Sequence, residues 1–235
     1  LRWKHPVLGL VRPEQFIRLA ESTGMIVPIG EWALMTACKQ LADWRADGFT
    51  DLRIAVNLST RQLQQGGLVT MVLNCLDVTG LPASALVFEL DETSATESGV
   101  DAVRQLAELR TLGAAISIDD FGTGYSSLSS LRTFPVDALK IDTSFTLNIV
   151  RDADDTPIAV AVIALARSLG LRVVAEGVEH PAQLEFLNAH ECEYWQGYLC
   201  CAPVDVKEAT LVLRRMSAAG GRILSPTLTS AIGSP

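Results

Sequence analysis

The sequence predicts a single α/β domain, and an α/β barrel is the most economical form of that class for a chain of this length. The chain has 235 residues, of which 49% are apolar, so one domain can bury a sizeable core. Short segments of strand character alternate with longer helical segments, an order typical of a parallel sheet covered by helices. No shift in composition divides the chain, so we predict one domain over residues 1–219 and a flexible tail, rich in Gly, Ser, Thr and Pro, over residues 220–235.

The predicted elements follow one another in a regular order. Segments with strand character lie at residues 52–57, 85–92, 114–120, 138–142, 171–177 and 194–199. Helical segments lie near residues 29–47, 61–78, 97–112, 155–169, 181–189 and 205–218, with breaks at glycines 66–67, 80, 113 and 170. Even with a strand stub at residues 1–3, these are fewer strands than the eight of a closed barrel. Because the deficit lies at the N-terminus and Leu1 is not Met, we expect the chain to begin partway into a longer polypeptide.

Charge and cysteine content exclude several classes of protein. The net charge is −8, from 19 basic and 27 acidic side chains, and the basic residues are scattered, so we expect no binding of DNA or RNA. The five cysteines form no CxxC pair, which favours reduced thiols in the cytoplasm, with Cys200 and Cys201 buried at the end of the last strand. The longest apolar run, residues 158–166, is too short to span a bilayer, so we expect no membrane contact by this chain.

Polar side chains recur near the C-terminal ends of the predicted strands, on the face opposite the apolar one. Side chains alternate across a strand, so the apolar positions 86, 88 and 90 leave Glu89 on the other face, and Lys140 lies inward on the same reasoning. In barrel enzymes the catalytic residues lie at this end of the strands. We therefore expect one site of oxygen ligands, formed by Asn57, Glu89, Asp119, Asp120 and Glu176, with Glu179 beside them.

Such a set of ligands favours particular chemistry. Carboxylate and amide oxygens suit Mg²⁺ or Mn²⁺ better than zinc. So many carboxylates repel one another unless divalent cations lie between them, and a metal pair would also attract an anionic substrate. Two-metal hydrolysis of a phosphodiester matches these features, with Lys140 orienting the attacking water or stabilising charge on phosphoryl oxygens.

Simpler interpretations remain open for several of these residues. Asn57 can belong to a helix-capping sequence, and Glu92 can cap the helix that follows it. The adjacent Asp119 and Asp120 can begin a turn before FGTG. Asp142 is interpreted as a cap or as a partner of Lys140. Recurrence of polar groups on one face of several strands favours a shared site over these separate explanations.

Seven segments carry a family resemblance. They are RWKHPVLGLVRPEQFIRLAESTGMIVPIGEW (2–32), NLS (57–59), FELDE (88–92), DDFGTGYSSL (119–128), LKID (139–142), AEGVE (175–179) and QGY (196–198). In this order they resemble the EAL-domain family of cyclic di-GMP phosphodiesterases over nearly the whole chain. The resemblance implies a TIM-type (β/α) barrel that here lacks the antiparallel first strand and most of the second. It also implies hydrolysis of cyclic di-GMP to linear pGpG with two Mg²⁺ or Mn²⁺ ions.

The resemblance assigns roles by motif position. The residues that resemble metal ligands are Asn57, Glu89, Asp119, Asp120 and Glu176. Those that resemble the residues organising the attacking water and the second metal site are Lys140, Glu179 and Gln196. Glu92 resembles the anchor of the DDFGTG loop, and Arg2 the arginine that grips a substrate phosphate, a role suited to its planar fork.

The chain departs from the family pattern at three places. Only Leu1 and Arg2 remain of the signature Glu-x-Leu-x-Arg, so the metal-binding Glu is absent and we expect little or no turnover from this chain alone. Asp91 replaces the usual Thr, which adds charge beside the predicted site and is expected to disturb the loop anchor. Cys200, Cys201 and Ala202 replace the aromatic and basic residues that usually follow QGY, which is expected to weaken substrate contacts there.

The resemblance also implies partners and leaves two functions open. It implies a homodimer as one possible state, an upstream sensory or GGDEF-type module in the parent chain, since members are usually the output end of longer chains, and room for a membrane anchor in that upstream part. The alternative to an enzyme is a degenerate EAL domain that acts as a cyclic di-GMP receptor or protein-interaction module. Glu at the missing signature position would favour the enzyme, and Ala, Val or Gln the receptor.

Overall fold

The structure is a computed structural model that describes residues 1–97, 99–123, 134–149 and 156–218. The predicted tail at 220–235 and positions 124–128 of DDFGTGYSSL lie outside the described residues. Within the described part of the chain, no helix has the length and apolar composition needed to cross a membrane.

The described residues form eight strands, ten α-helices and one short 3₁₀ turn at Ala83–Ala85. The strands are β1 Trp3–His5, β2 Gly9–Val11, β3 Ile54–Asn57, β4 Leu86–Asp91, β5 Ala115–Phe121, β6 Ala138–Ile141, β7 Arg172–Ala175 and β8 Tyr194–Trp195. The helices are α1 Pro13–Thr23, α2 Ile26–Ala46, α3 Thr60–Gln65, α4 Leu68–Thr79, α5 Glu92–Glu97, α6 Gly99–Thr111, α7 Thr143–Asn148, α8 Thr156–Ser168, α9 Pro181–Ala189 and α10 Val206–Ala218.

The main sheet confirms the predicted α/β class. Its six strands are hydrogen-bonded in the order β3-β4-β5-β6-β7-β8, so sequence neighbours are also sheet neighbours. The pairings β5–β6, β6–β7 and β7–β8 are parallel, and described helices connect β3 to β4, β4 to β5, β6 to β7 and β7 to β8. This half-barrel of parallel strands is the arrangement that brings the C-terminal ends of all strands to one edge.

The N-terminal stub was wrongly assigned to the main sheet. Leu1 and Arg2 precede an antiparallel hairpin of β1 and β2, with Trp3 opposite Val11, which forms a separate two-stranded sheet. The hairpin follows from a turn in which His5 accepts hydrogen bonds from the backbone N–H groups of Val7 and Leu8. A stub of three residues carries no information about its pairing partner, so the sequence could not distinguish the two sheets.

Other boundaries differ from prediction for local reasons. Helix α1 was missed, although Pro13 at its first position and Gly24 at its end are standard boundary signals. The predicted helix at 61–78 is divided into α3 and α4 at Gly66 and Gly67, where the sequence predicted a break. The predicted strand at 194–199 ends at Trp195, because the backbone then turns. In that turn the N–H groups of Cys200 and Cys201 bond to the Gly197 carbonyl.

The described residues fall into two compact units. The first, residues 1–88, 99–114 and 203–218, is arranged around α2, whose buried residues recur every three to four positions from Ile26 to Trp44. Helices α1, α3 and α4 and strand β3 pack on α2. The indole N–H of Trp44, which is 5% exposed, donates to Thr210 Oγ1 at 2.9 Å and thereby fixes α10.

The second unit comprises residues 89–97, 115–123, 134–149 and 156–202. Its central strand is β6, which pairs with β5 on one side and β7 on the other, and α8 packs against β6 and β7. Every residue of β6 is buried, including Lys140. A lysine in the middle of a buried strand needs charged partners, and those partners define the site described next.

Candidate active site

Lys140 lies at the centre of a buried charge cluster in the second unit. Its side chain is 2% exposed, and its Nζ lies 3.1 Å from Glu89 Oε1, 3.0 Å from Asp119 Oδ1 and 2.6 Å from Glu176 Oε1. Strands β4, β5 and β6 carry Glu89, Asp119 and Lys140, and Glu176 follows β7 directly. The predicted convergence of polar groups from neighbouring strands is therefore observed for these four residues.

A bulge in β5 aims two consecutive carboxylates at this cluster. The register with β6 pairs Ile118 with Leu139 and Phe121 with Ile141, so Asp119 and Asp120 together oppose Lys140. Regular alternation would send their side chains to opposite faces, but Asp120 adopts a φ of 53°, in the left-handed region. A non-glycine residue in this conformation is unusual and is typical of functional sites. Asp119 and Asp120 thus form a bulge, and Asp120 also begins the turn that the sequence left open, since its carbonyl accepts a hydrogen bond from Thr123 N at 3.4 Å.

The cluster carries more negative than positive charge. Burial raises the pKa of Glu89, and Asp119 raises it further, although Lys140 opposes both effects. Burial also raises the pKa of Glu176 to about 7, against the opposing effect of Lys140. For Lys140 itself burial lowers the pKa, but Glu89, Asp119 and Glu176 together outweigh burial and hold the pKa above its usual range. Lys140 is therefore a fixed cation, and one cation faces several carboxylates.

Asp142 contacts both the helix that follows it and the carboxyl of Asp120. Its carboxylate accepts a hydrogen bond from Ser144 N at 2.8 Å and so caps α7, as predicted for a cap. Its carboxyl also faces Asp120, whose pKa rises to about 6 through partial burial, then through Asp119 and Asp142. No ion pair joins Asp142 to Lys140 within the described residues, so the alternative of a direct partner is wrong.

The segment after β7 is held against the segment after β8. Gln196 Nε2 donates a short hydrogen bond to Glu176 Oε1, and the backbone N–H of Val178 donates to Gln196 O at 3.0 Å. Leu199 N donates to Val178 O at 2.9 Å. Gly197 lies directly against the Val178 backbone, and a Cβ at position 197 would overlap the Val178 nitrogen and oxygen. Gly197 is therefore required for the approach that lets Gln196 reach Glu176.

Gly197→Ala is expected to displace this contact and to weaken metal binding at the cluster. The added methyl meets backbone atoms, which cannot rotate away, so we expect a loss of at least about 2 kcal/mol in the free energy of unfolding. Gly170→Ala is the matched control, because Gly170 has a φ of +70° but open space around its Cα. The control is expected to lose only about 1–2 kcal/mol from backbone strain, without a change in Mn²⁺ affinity. Equal Mn²⁺ affinity in the two variants, by titration, would contradict this account.

Glu92 and Asp91 divide the two roles that the sequence left open. Glu92 is 6% exposed, and its Oε2 accepts a hydrogen bond from Gly122 N at 3.2 Å, so it contacts the start of the loop after β5. Asp91 instead caps α5, accepting from Ser94 N and Ser94 Oγ at 2.7 Å each. Asp91 is exposed, and its cap leaves the Glu92 contact to the loop in place, so the expected disturbance of the anchor is not observed.

The remaining predicted residues lie at more open positions. Asn57 ends β3 in the first unit with an exposed side chain, and the N-cap of α3 is Ser59, which accepts from Gln62 N. Arg2, also in the first unit, is half-buried and donates to Leu1 O at 2.7 Å. Glu179 is exposed beside the buried Val178. The roles of Asn57, Arg2 and Glu179 stay predictions.

The prediction for the vicinal cysteines was wrong. Cys200 is exposed and Cys201 half-buried, because the chain leaves the sheet after Trp195 and turns outward. Cys38, Cys75 and Cys192 are buried, and none of the five cysteines forms a disulfide within the described residues. Burial raises the pKa of the Cys38 and Cys192 thiols to about 12 and about 11, so both are inert at neutral pH.

The oxygen donors of the cluster fit divalent cations. Asp119, Asp120 and Glu176 each offer a ligand atom, and these three atoms lie within 4.8 Å of one another. Glu89 Oε2 and Gln196 Oε1 are buried acceptors without a hydrogen-bond partner among the described residues. Buried acceptors without donors are costly, and a hard cation is a partner that would satisfy carboxylate and amide oxygens together. The cluster can therefore hold a metal ion.

Comparisons with known sequences point to one family. A family model described as the EAL domain matches residues 1–203. The bifunctional diguanylate cyclase/cyclic di-GMP phosphodiesterase MucR of Pseudomonas aeruginosa is 46% identical over 208 residues, which are 88% of this chain and 30% of MucR. The cyclic di-GMP phosphodiesterase NbdA of the same organism is 44% identical over 91% of this chain and 27% of its own length. The chain thus spans less than a third of either relative.

Solved structures point to the same family. The PaMucR phosphodiesterase in its c-di-GMP complex superposes with a TM-score of 0.84 at 46% identity, over 88% of this chain and 84% of that one. The EAL enzyme Bd1971, in its form bound to cAMP and cyclic di-GMP, superposes with a TM-score of 0.85 at 34% identity, over 90% of this chain and 58% of that one. The family model and the relatives together show that the chain belongs to the EAL domain family.

Proposed function

We propose that this chain is the catalytic domain of a metal-dependent phosphodiesterase that hydrolyses cyclic di-GMP to linear pGpG. The observation that carries the proposal is the buried cluster in which Lys140 contacts Glu89, Asp119 and Glu176. Structural stability alone gives no reason to bury an excess of carboxylates, since a buried ion pair is at best weakly stabilising. Relatives named cyclic di-GMP phosphodiesterases support the identity of the substrate.

We propose roles for residues at a metal centre. The proposed ligands of two Mg²⁺ or Mn²⁺ ions are Asn57, Glu89, Asp119, Asp120 and Glu176. When bound, such ions lower the pKa of water and stabilise charge on phosphoryl oxygens during in-line displacement. The protein's own part is to hold the ligands in place. The bulge at Asp119 and Asp120 presents two carboxylates from adjacent residues, and Lys140 holds three carboxylates at fixed distances.

Lys140 acts in this proposal as a permanent charge. Its pKa lies above the usual range, so it retains its proton and does not serve as a general base. Its ammonium group can donate hydrogen bonds to the attacking water or to a phosphoryl oxygen, which favours the accumulation of negative charge in the transition state. Gln196 is proposed to fix Glu176 through their hydrogen bond, and Glu179 to organise the second metal site.

Two further residues and the partners complete the proposal. Arg2 is proposed to bind a substrate phosphate, and Glu92, through Gly122, to anchor the loop after β5. Because the chain spans less than a third of MucR and NbdA, we propose an upstream sensory or GGDEF-type module in the same polypeptide. A homodimer is proposed from the family resemblance. A cytoplasmic location of this domain is proposed from its free cysteines.

Hydrolysis of cyclic di-GMP in the presence of Mn²⁺ tests the proposed function. The assay uses this chain and a version extended at its N-terminus so that the signature Glu-x-Leu-x-Arg is complete, with pGpG measured by chromatography. We expect Mn²⁺-dependent pGpG formation by the extended version, loss of it with EDTA, and a loss of at least about 1,000-fold in Asp119→Ala. Asp101→Ala, which removes an exposed carboxylate on α6, is expected to leave the rate unchanged. Binding of cyclic di-GMP without any pGpG would overturn the enzyme and favour the receptor.

A further inference from the structure

Gln183 is a buried side chain that joins the segment after β7 to a helix of the same unit. It is 1% exposed and lies in the first turn of α9. Its Oε1 accepts hydrogen bonds from the backbone N–H groups of Glu179 at 2.7 Å and His180 at 2.8 Å. Its Nε2 donates to Thr146 O in α7 at 3.0 Å. One amide therefore bonds to two separate stretches of backbone.

The chemistry of these partners requires an uncharged amide at position 183. Two N–H groups demand an acceptor, while the Thr146 carbonyl demands a donor, and the amide group of Gln supplies both at once. A carboxylate would lack the donor, and an apolar side chain would remove the acceptor of the Glu179 and His180 N–H groups and leave the Thr146 carbonyl with only its bond from Ile149 N. The orientation of the amide follows from the same requirement, because the flipped form would face each partner with the wrong atom.

The segment that Gln183 holds carries two residues of the site. Glu176 and Glu179 flank Gly177 and Val178, and Glu176 contacts Lys140. Gly177 has a φ of +65° and lies so close to Thr143 that a Cβ there would overlap its side chain. Residues 176–180 thus contact the start of α7 closely at Gly177. Gln183 links them to Thr146, further along the same helix.

Helix α7 is itself tied to the acidic cluster. Asp142 caps α7 through Ser144, and its carboxyl faces Asp120. A displacement of α7 relative to residues 176–180 would therefore change the spacing of Asp120 and Glu176, which offer ligand atoms within 4.8 Å of each other. Gln183 lies where it can hold that spacing through backbone groups, without a hydrogen bond to the side chain of Glu176 or Glu179.

We propose that Gln183 is a positioning residue of the metal centre, which fixes residues 176–180 against α7 so that Glu176 and Glu179 keep their places. The proposal deepens the proposed function and rests on it for the role of the metal. The neighbouring partners of a ligand commonly account for 10- to 100-fold in metal affinity or activity. Gln183 differs from such a partner only in acting through the backbone of the ligand segment.

Gln183→Met tests this proposal with Gln105→Met as the matched control. Gln105 is 5% exposed, donates to Leu63 O at 2.8 Å and accepts from Leu68 N at 3.3 Å, so it is a backbone-tying glutamine of the first unit. We expect Gln183→Met to raise the Mn²⁺ concentration at half-saturation by about 10- to 100-fold, and Gln105→Met to leave it unchanged. Both titrations are run well below the melting temperature of each variant.

Amide hydrogen exchange supplies a readout that does not depend on metal or activity. The N–H groups of Glu179 and His180 are expected to exchange at least about fivefold faster in Gln183→Met and at the wild-type rate in Gln105→Met. If Gln183→Met does not fold, Gln183→Glu replaces it, since Glu cannot donate to Thr146 O at neutral pH, and the same direction of change in Mn²⁺ half-saturation is expected.

The two proposals fail in different ways. Absence of pGpG from the extended wild-type chain would overturn the proposed function, whereas the Mn²⁺ titration and amide exchange would still decide the role of Gln183. Equal Mn²⁺ half-saturation in Gln183→Met and Gln105→Met, or unchanged exchange at residues 179 and 180, would overturn the positioning role even in an active enzyme.

Discussion

In the N-terminally extended version of the chain, Glu89→Gln is expected to abolish hydrolysis of cyclic di-GMP while leaving the metal-free fold about as stable as the wild type. The carboxylate of Glu89 is 1% exposed, and burial raises its pKa, so the ionised form is costly in the folded state. An amide of the same shape avoids that cost, and Lys140 keeps its contacts with Asp119 and Glu176. We therefore expect the free energy of unfolding without metal to change by no more than about 1 kcal/mol.

The same substitution removes a proposed ligand. An amide carries no charge and binds Mn²⁺ far more weakly than a carboxylate, so we expect pGpG formation to fall by at least about 1,000-fold. Added Mn²⁺ should raise the melting temperature of the wild type and not that of Glu89→Gln. Glu108→Gln, on the exposed side of α6, is the control and should match the wild type in both assays. An active Glu89→Gln enzyme would contradict the assignment of Glu89 as a ligand.

Lys140→Met is expected to be the most destabilising substitution in the second unit when no metal is present. Methionine has a similar length and fits the buried strand, but Glu89, Asp119 and Glu176 then face one another without a cation. Removing one partner of a buried charge cluster costs about 3–5 kcal/mol, because the remaining charges stay desolvated. Chemical denaturation with EDTA present measures this loss.

Divalent metal should recover part of that stability, since the ions would replace the missing positive charge. Hydrolysis should nevertheless remain at least about 100-fold below the wild type, because the hydrogen-bond donor at position 140 is gone. Lys207→Met on α10 is the control, as Lys207 is exposed, and it should change neither stability nor rate. A Lys140→Met variant as stable as Lys207→Met in EDTA would show that the carboxylates do not depend on Lys140.

The alternation of side chains along the strands was sufficient to predict much of the site. Glu89, Asp119 and Lys140 lie on the predicted face of neighbouring parallel strands, and parallel strands bring that face to one edge whatever the helices contain. The class of fold followed from the same regular order of strands and helices. The side-chain alternation within each strand and the parallel order of the strands indicate the same edge of the sheet, so these three residues could be predicted from sequence.

Other parts of the site depend on contacts that no local pattern encodes. Asp120 joins Asp119 only because the register between β5 and β6 contains a bulge, which depends on the pairing of two strands. Gln183 resembles any polar residue in the first turn of a helix until its partners in α7 are known. Cys200 is exposed in a turn whose backbone N–H groups, those of Cys200 and Cys201, bond to the Gly197 carbonyl. Each of these features is set by tertiary structure.

A titration of Mn²⁺ binding tests the central claim, that the carboxylates around Lys140 form a divalent metal centre. The wild-type chain is compared with the double variant Asp119→Asn with Asp120→Asn, and with Asp101→Asn with Glu108→Gln as a control that removes two exposed carboxylates. We predict that the wild type and the control bind Mn²⁺ equally, and that the Asp119 and Asp120 variant binds it at least about 100-fold more weakly. Equal Mn²⁺ binding by all three proteins would contradict a metal centre at this cluster.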